Sequence, residues 1–219
     1  MPPVGRFRIR PRTIMQLTDI HTHNRYATAA IFNSPHYCAD RIISLGIHPW
    51  DIDSDWRERF RTIEETAKHS NVVAIGECGI DKMKSTASID IQTEAFIAHA
   101  LLAEKLHKPL IIHCVRAYDE ILSAHKKISP QQTWIVHGFR GKPQLATQLV
   151  NNGLCISLGE QFNPESAASI PGERLFVESD KSRMPLDEIY ARIAAARKQP
   201  IETMTAQISG NADRCGFAF

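Results

Sequence analysis

Asp19-Ile20-His21-Thr22-His23 decides how this chain is read. The apolar run from Ile14 to Leu17 leads into it, which predicts a buried strand that stops at two histidines. Residues i and i+2 of a strand point to one face. His21 and His23 therefore converge, and imidazole nitrogens so placed suit a divalent metal. A lone His-X-His is weak evidence, since two polar loop residues give the same pattern. Four later segments strengthen it, because each is an apolar run that ends in a ligand-type residue. Val72-Val73-Ala74-Ile75-Gly76-Glu77 ends in a carboxylate. Leu110-Ile111-Ile112-His113 and Trp134-Ile135-Val136-His137 end in histidines, and Leu175-Phe176-Val177-Glu178-Ser179-Asp180 ends in two acids.

Working outward, strand signals recur at Ile14–Ile20, Thr28–Phe32, Ile42–Ile47, Val72–Ile75, Leu110–Ile112, Thr133–Val136, Leu154–Ser157 and Leu175–Val177. Most are short and apolar on both faces, as in a parallel sheet covered on both sides. Helical periodicity fills the later gaps, at Asp55–His69, Asp90–His107, Tyr118–Lys127, Pro143–Asn151, Leu186–Lys198 and Ile201–Asp213. Strand and helix in alternation predict an α/β fold, a TIM-like (β/α) barrel. Its first units are expected to be shortened, because parallel crossovers normally take a dozen or more residues and those after His23 are shorter. In such a barrel the active site lies at the C-terminal ends of the strands. The strand-end ligands would then meet at one mouth. Four histidines with two or three carboxylates exceed one tetrahedral site and suit two divalent ions, Mg, Mn or Zn.

The 219 residues carry a net charge of +2, unevenly spread. Residues 1–14 hold Arg6, Arg8, Arg10 and Arg12 and no acid, so without those four charges the rest stands at −2. That excludes a strongly basic nucleic-acid platform. The arm is expected to be a disordered end, with residues 15–219 forming a single domain. Five cysteines without C-x-x-C spacing predict free thiols in a reducing cytoplasm. No apolar run reaches membrane-spanning length, and no obligate protein partner is implied.

From about residue 17 onward the chain resembles the TatD-type metal-dependent deoxyribonucleases of the amidohydrolase superfamily. The matching stretches include Asp19 to His23, Gly46-Ile47-His48-Pro49, Ala74 to Asp81, Pro109 to Arg116, Val136-His137-Gly138-Phe139 and Val177 to Asp180. The resemblance implies hydrolysis of phosphodiesters, with DNA, a short oligonucleotide or a small phosphodiester as substrate. It also implies that His21, His23 and Asp180 hold one ion, that His113 and His137 hold the other, and that Glu77 bridges them. Asp180 would take a proton from the attacking water, which makes Asp180 and Glu77 the catalytic pair. The substrate shell departs from the family at Gly138-Phe139-Arg140-Gly141 and at Lys181-Ser182, and the short segment between His23 and His48 leaves one wall of the cleft open. Two other readings stand beside this one. The same site could hydrolyse a lactone, amide or carboxylic ester, or the chain could be an inactive metal-binding module.

Other residues carry weaker expectations. His48 before Pro49 faces the mouth, to contact substrate or protonate its leaving oxygen. Arg116 is a candidate fork for phosphate. Glu178 is expected to buttress a ligand histidine. Asp81 reads as a turn cap, Cys78 and Cys114 as packing residues, and Lys82 and Arg140 as solvated surface. His36, His69, His99, His107 and His125 also read as surface. Trp50 and Trp56 could stack a base, though packing under a loop is the commoner role.

Overall fold

The computed structural model describes residues 17–217, so the basic arm lies outside the described residues. Eight strands follow in chain order: β1 (Asp19–Thr22), β2 (Ala30–Ser34), β3 (Ile43–Leu45), β4 (Val72–Asp81), β5 (Leu110–Val115), β6 (Trp134–Val136), β7 (Cys155–Leu158) and β8 (Leu175–Val177). Each pairs in parallel with the next. Just beyond β8 the sheet returns to β1. The His23 amide donates to the Asp180 carbonyl and the Asp180 amide to the His21 carbonyl, each at 2.9 Å. This seam nearly closes the sheet into an eight-stranded barrel.

The helices are α1 (Trp56–Thr66), α2 (Ile89–Leu106), α3 (Tyr118–Ile128), α4 (Pro143–Asn151), α5 (Pro164–Ser169), α6 (Leu186–Ala196) and α7 (Ile201–Arg214). Local chemistry sets their ends. Ser88 caps α2 by accepting from the Ile91 amide at 3.3 Å, and His107 ends it in a left-handed turn at φ 54°. Pro143 starts α4, where its missing N–H costs nothing. The short α5, capped by Asn163, is the helix that periodicity passed over.

Two apolar layers result. Ile20, Ile31, Ala74, Ile111, Ile135, Cys155 and Phe176, from seven of the eight strands, form one cluster with Ala212 and Phe217 from the C-terminal segment. A larger cluster joins the strands to the surrounding helices, with Trp134 edge-on to Phe96 at 5.3 Å. All five cysteines are free. Among the described residues no helix is long and apolar enough to cross a membrane.

The front of the barrel lacks helices as expected. Residues 23–29 link β1 to β2 and residues 35–42 link β2 to β3. Strands this short make helix-free returns feasible. Four residues rise roughly 13 Å, and seven extended residues reach roughly 23 Å, enough to go back and step to the next strand.

One irregularity serves the site. Ala74 lies in the inner apolar cluster and Glu77 lies among the ligand histidines, three residues on. A regular strand would put them on opposite faces, but the β4–β5 register shifts between Ile75 and Cys78. Glycine permits the close approach that goes with it. Gly76 sits at φ +129°, and a Cβ there would meet the Ile111 carbonyl oxygen at 2.3 Å.

Candidate metal centre

Glu77 is the hub of the mouth. It is 3% exposed, and its carboxylate lies within reach of five imidazoles. Oε1 is 2.8 Å from His113 Nδ1, 2.8 Å from His137 Nε2 and 3.1 Å from His48 Nε2. Oε2 is 3.4 Å from His21 Nε2 and 3.5 Å from His23 Nε2. Asp180 Oδ1 completes the cup, 3.4 Å from His23 Nε2 and 3.8 Å from His21 Nε2. His21 and His23 do converge, with ring centroids 5.2 Å apart. The geometry offers three overlapping ligand groups: His21–Glu77–His137, His21–His23–Asp180 and His48–Glu77–His113.

Hydrogen bonds at the rear of the rings fix which nitrogen faces the cup. Buried Glu178 accepts from His137 Nδ1 at 3.2 Å and from the Gly138 amide at 2.7 Å. His137 Nε2 then presents a lone pair to Glu77. Asp81 Oδ2 accepts from His113 Nε2 at 3.2 Å, so His113 Nδ1 presents a lone pair to the same carboxylate. His48 differs. Its Nδ1 accepts from the Trp50 amide at 3.1 Å, which leaves the proton on Nε2, toward the cup.

These contacts test the fit of a cation. Two imidazole lone pairs stand 2.8 Å from one carboxylate oxygen, an acceptor–acceptor contact that repels unless something positive lies between. Both ring nitrogens of fully buried His21 and Nε2 of His23 have no hydrogen-bond partner, an expensive state for buried polar atoms. Neutral nitrogen and carboxylate oxygen form a donor set that Mg²⁺, Mn²⁺ and Zn²⁺ accept. Without a cation, a proton takes that place on His137. Burial works against its charge, but Glu77 and Glu178 outweigh it and raise the ring well above the usual imidazole range. Burial likewise pushes the Glu77 carboxyl up, yet the charge on His137 and the surrounding imidazoles hold it well below the usual range. Burial and the His137 charge keep His21 below the ordinary histidine value.

The remaining expectations divide. Arg116 is exposed, at φ +55°. Lys82 pairs with Glu120 at 2.6 Å instead of lying free in solvent. Trp56 is packed at 3% exposure, whereas Trp50 is 40% exposed beside the cup. His99 corrects its surface assignment. It is fully buried, its Nδ1 donating to the Ala95 carbonyl at 2.7 Å and its Nε2 accepting from the Ile47 amide at 3.0 Å, next to His48. Asp81 does cap its turn, with Oδ1 accepting from the Met83 and Lys84 amides, and it also holds His113.

Asn33 escaped the sequence reading. It donates to Glu77 Oε2 at 3.1 Å and accepts from the Glu77 amide at 2.9 Å. The strand predicted from the sequence, Thr28–Phe32, ends one residue short of it. Asp19 was also missed, although it lies in the opening motif. It accepts from the Ser179 amide at 3.0 Å and the Ser179 hydroxyl at 2.6 Å, tying β1 to β8 beneath the cup.

Two cavities share His23 as a lining residue. One of about 240 Å³ is lined by His23, Asn33, His48, Trp50, Glu77 and Lys181, among others. The other, of about 1050 Å³, runs past His23 and Asp180 beside Lys181 and Arg183, along the helix-free side of β1.

Comparison with known proteins gives a consistent placement. The model of a family described as TatD related DNase matches residues 9–215. A 3'-5' ssDNA/RNA exonuclease TatD of Pantoea sp. is 29% identical over 205 residues, which cover 81% of this chain and 77% of that protein. A protein of the same name from Klebsiella pneumoniae is 30% identical, covering 72% of this chain and 63% of its own length. An uncharacterized metal-dependent hydrolase, YabD, of Bacillus subtilis is 30% identical, covering 63% and 57%. The matched stretches thus span between 57% and 77% of these relatives. Among solved structures, the TatD homologue YJJV of Escherichia coli superposes with a TM-score of 0.73 at 20% identity, over 90% of this chain and 96% of that one. A TatD family hydrolase from Entamoeba histolytica gives 0.71 at 15% identity. Both share the barrel. A family match over nearly the whole chain, on a barrel whose mouth gathers the expected donors, makes this protein a member of the TatD-related DNase family and a metal-dependent hydrolase.

Proposed function

We propose that the protein hydrolyses phosphodiester bonds at the ends of short single-stranded nucleic acids, using two divalent ions. His21, His23 and Asp180 would hold one ion and His113 and His137 the other, with the Glu77 carboxylate available to both. The observation that supports this most is the single buried carboxylate of Glu77 facing five imidazoles, two of them presenting lone pairs to it. When bound, such ions acidify water toward neutral pH and polarise a phosphoryl oxygen.

The chain's own groups do the rest. Asp180, 29% exposed at its side chain, has an oxygen available to take the proton of the attacking water. His48 carries its proton on Nε2, facing the cup, and delivers it to the departing oxygen. Glu178 and Asp81 hold His137 and His113 in the tautomers that present a lone pair inward. The relatives named as ssDNA/RNA exonucleases support this substrate class.

The test is a substrate panel with added Mg²⁺ or Mn²⁺: single-stranded oligonucleotides, bis-p-nitrophenyl phosphate, lactones and p-nitrophenyl carboxylic esters. Turnover is expected on the phosphodiesters. Glu77→Ala is expected to lose at least about 100-fold, more than is typical for a residue that only supports a ligand. Turnover confined to lactones or esters sinks the proposal. Undiminished phosphodiesterase activity in Glu77→Ala removes its bridging role.

A further inference from the structure

We propose that Trp50, with Lys84 and Lys181, forms a subsite that stacks the terminal base of a single-stranded nucleic acid and holds an adjoining phosphate. The inference rests on the phosphodiesterase reading above. Trp50 lies in the one-turn 3-10 helix Pro49–Asp51, directly after His48. It is 40% exposed, whereas Trp56 and Trp134 are 3% and 1% exposed. Its indole N–H donates to Asp81 Oδ2 at 2.6 Å, and Asp81 Oδ1 is itself held by the Met83 and Lys84 amides. The ring is thus an exposed aromatic surface fixed in one orientation. It meets His48 and His113 in T-shaped contacts, at 4.6 and 5.8 Å between centroids. It also shares the 240 Å³ cavity with His23, His48 and Glu77. A ligand lying on it reaches the cup.

The charge beside the ring defines that ligand further. Lys84 Nζ lies 4.6 Å and Lys181 Nζ 5.5 Å from the ring centroid. Among the described residues, neither ammonium has a carboxylate within ion-pair distance, although Lys68 and Lys82 do. Two ammonium groups gathered near one ring repel each other, and the quadrupole of an exposed ring compensates only weakly. An anion is the missing partner. The lysine stems are long enough to swing onto a phosphate and uncover the ring. A flat aromatic group joined to a phosphodiester satisfies both demands at once, and a nucleotide at a strand end is that ligand. Stacking of this kind reads no sequence, since every base has a π-face.

The test compares two short single-stranded oligonucleotides, one complete and one with an abasic unit at its 3′ or 5′ end. Both carry cleavage-resistant phosphorothioate linkages, and binding is read by fluorescence anisotropy. The protein is expected to bind the complete strand about tenfold more tightly than the abasic one at one of the two ends. Trp50→Ala is expected to bind both alike, and Trp50→Phe to keep most of the preference. Lys84→Ala and Lys181→Ala are expected to weaken both strands equally and to flatten the salt dependence of binding. Equal affinity of the unmodified protein for the complete and abasic strands overturns the inference, as does a preference that survives Trp50→Ala. Cleavable versions of the same strands report separately on hydrolysis. Absence of turnover alongside an intact base preference defeats the phosphodiesterase reading and leaves the subsite standing.

Discussion

Single carboxylates decide what the histidines of the cup offer. Glu178 sits two residues before Asp180, near enough in sequence to a ligand position to read as the support of a ligand histidine, and it accepts from His137 Nδ1 at 3.2 Å. Asp81 was only half legible. A short acid after Gly79-Ile80 looks like a turn cap, and Oδ1 is one, accepting from Met83 and Lys84. The contacts of Oδ2 with His113 and Trp50 join residues 32 and 31 positions away, which no local pattern announces. Glu178→Gln and Asp81→Asn remove the charge that fixes the imidazole tautomer while keeping the size of the side chain. Each is expected to lower metal affinity or turnover about 10–100-fold with the fold intact. Metal titration by calorimetry and the far-ultraviolet circular dichroism spectrum check the two halves of that statement. An unchanged metal affinity and turnover in Asp81→Asn reduces Asp81 to its turn.

At the scale of elements, the sequence places α2 along the chain but not its buried face, and Leu101 is 53% exposed. The buried positions Ala95, Phe96, His99, Ala100 and Ala103 form a single helical stripe. His99 lies on that stripe. A polar ring with no ligand pattern around it reads as surface in the sequence, and one of the partners that allow its burial lies outside α2. The ring is satisfied on both sides, by the Ala95 carbonyl and the Ile47 amide, so it ties α2 to the end of β3 that carries His48. Burial pushes its pKa down to about 4, below the ordinary 6.5. A histidine lowered on folding favours the folded state fully above its unfolded value. Between pH 6.5 and 4 the unfolded chain takes up a proton that the folded one refuses, so stability falls as pH falls. The loss is on the order of 3 kcal/mol. Urea unfolding of the protein and of His99→Gln, which keeps an acceptor for Ile47, measured from pH 7.5 to 4.5, should show curves that converge as the pH drops. Parallel curves would mean that His99 is not the group responsible.

For the whole molecule, strand-end ligands and alternating elements made the barrel legible, and short links gave away its helix-free front. The way the barrel closes was not legible, because its pieces lie 160 residues apart. Asp19 holds both the amide and the hydroxyl of Ser179, and that hydroxyl lies 2.7 Å from the Thr22 hydroxyl. Above this lock the His23 and Asp180 amides complete the seam. The first and last strands therefore carry His21, His23 and Asp180 on an edge joined by few bonds, next to the side that lacks helices. If the lock sets the spacing of those three ligands, loosening it should act locally before it acts on the rest of the barrel. Asp19→Ala leaves the part-buried Ser179 amide without its partner, a cost of about 1 kcal/mol. Hydrogen exchange is expected to speed up at the His23 and Asp180 amides while the amides of β5 and β6, across the barrel, keep their protection. Uniform acceleration over all eight strands would show instead that Asp19 contributes only to global stability.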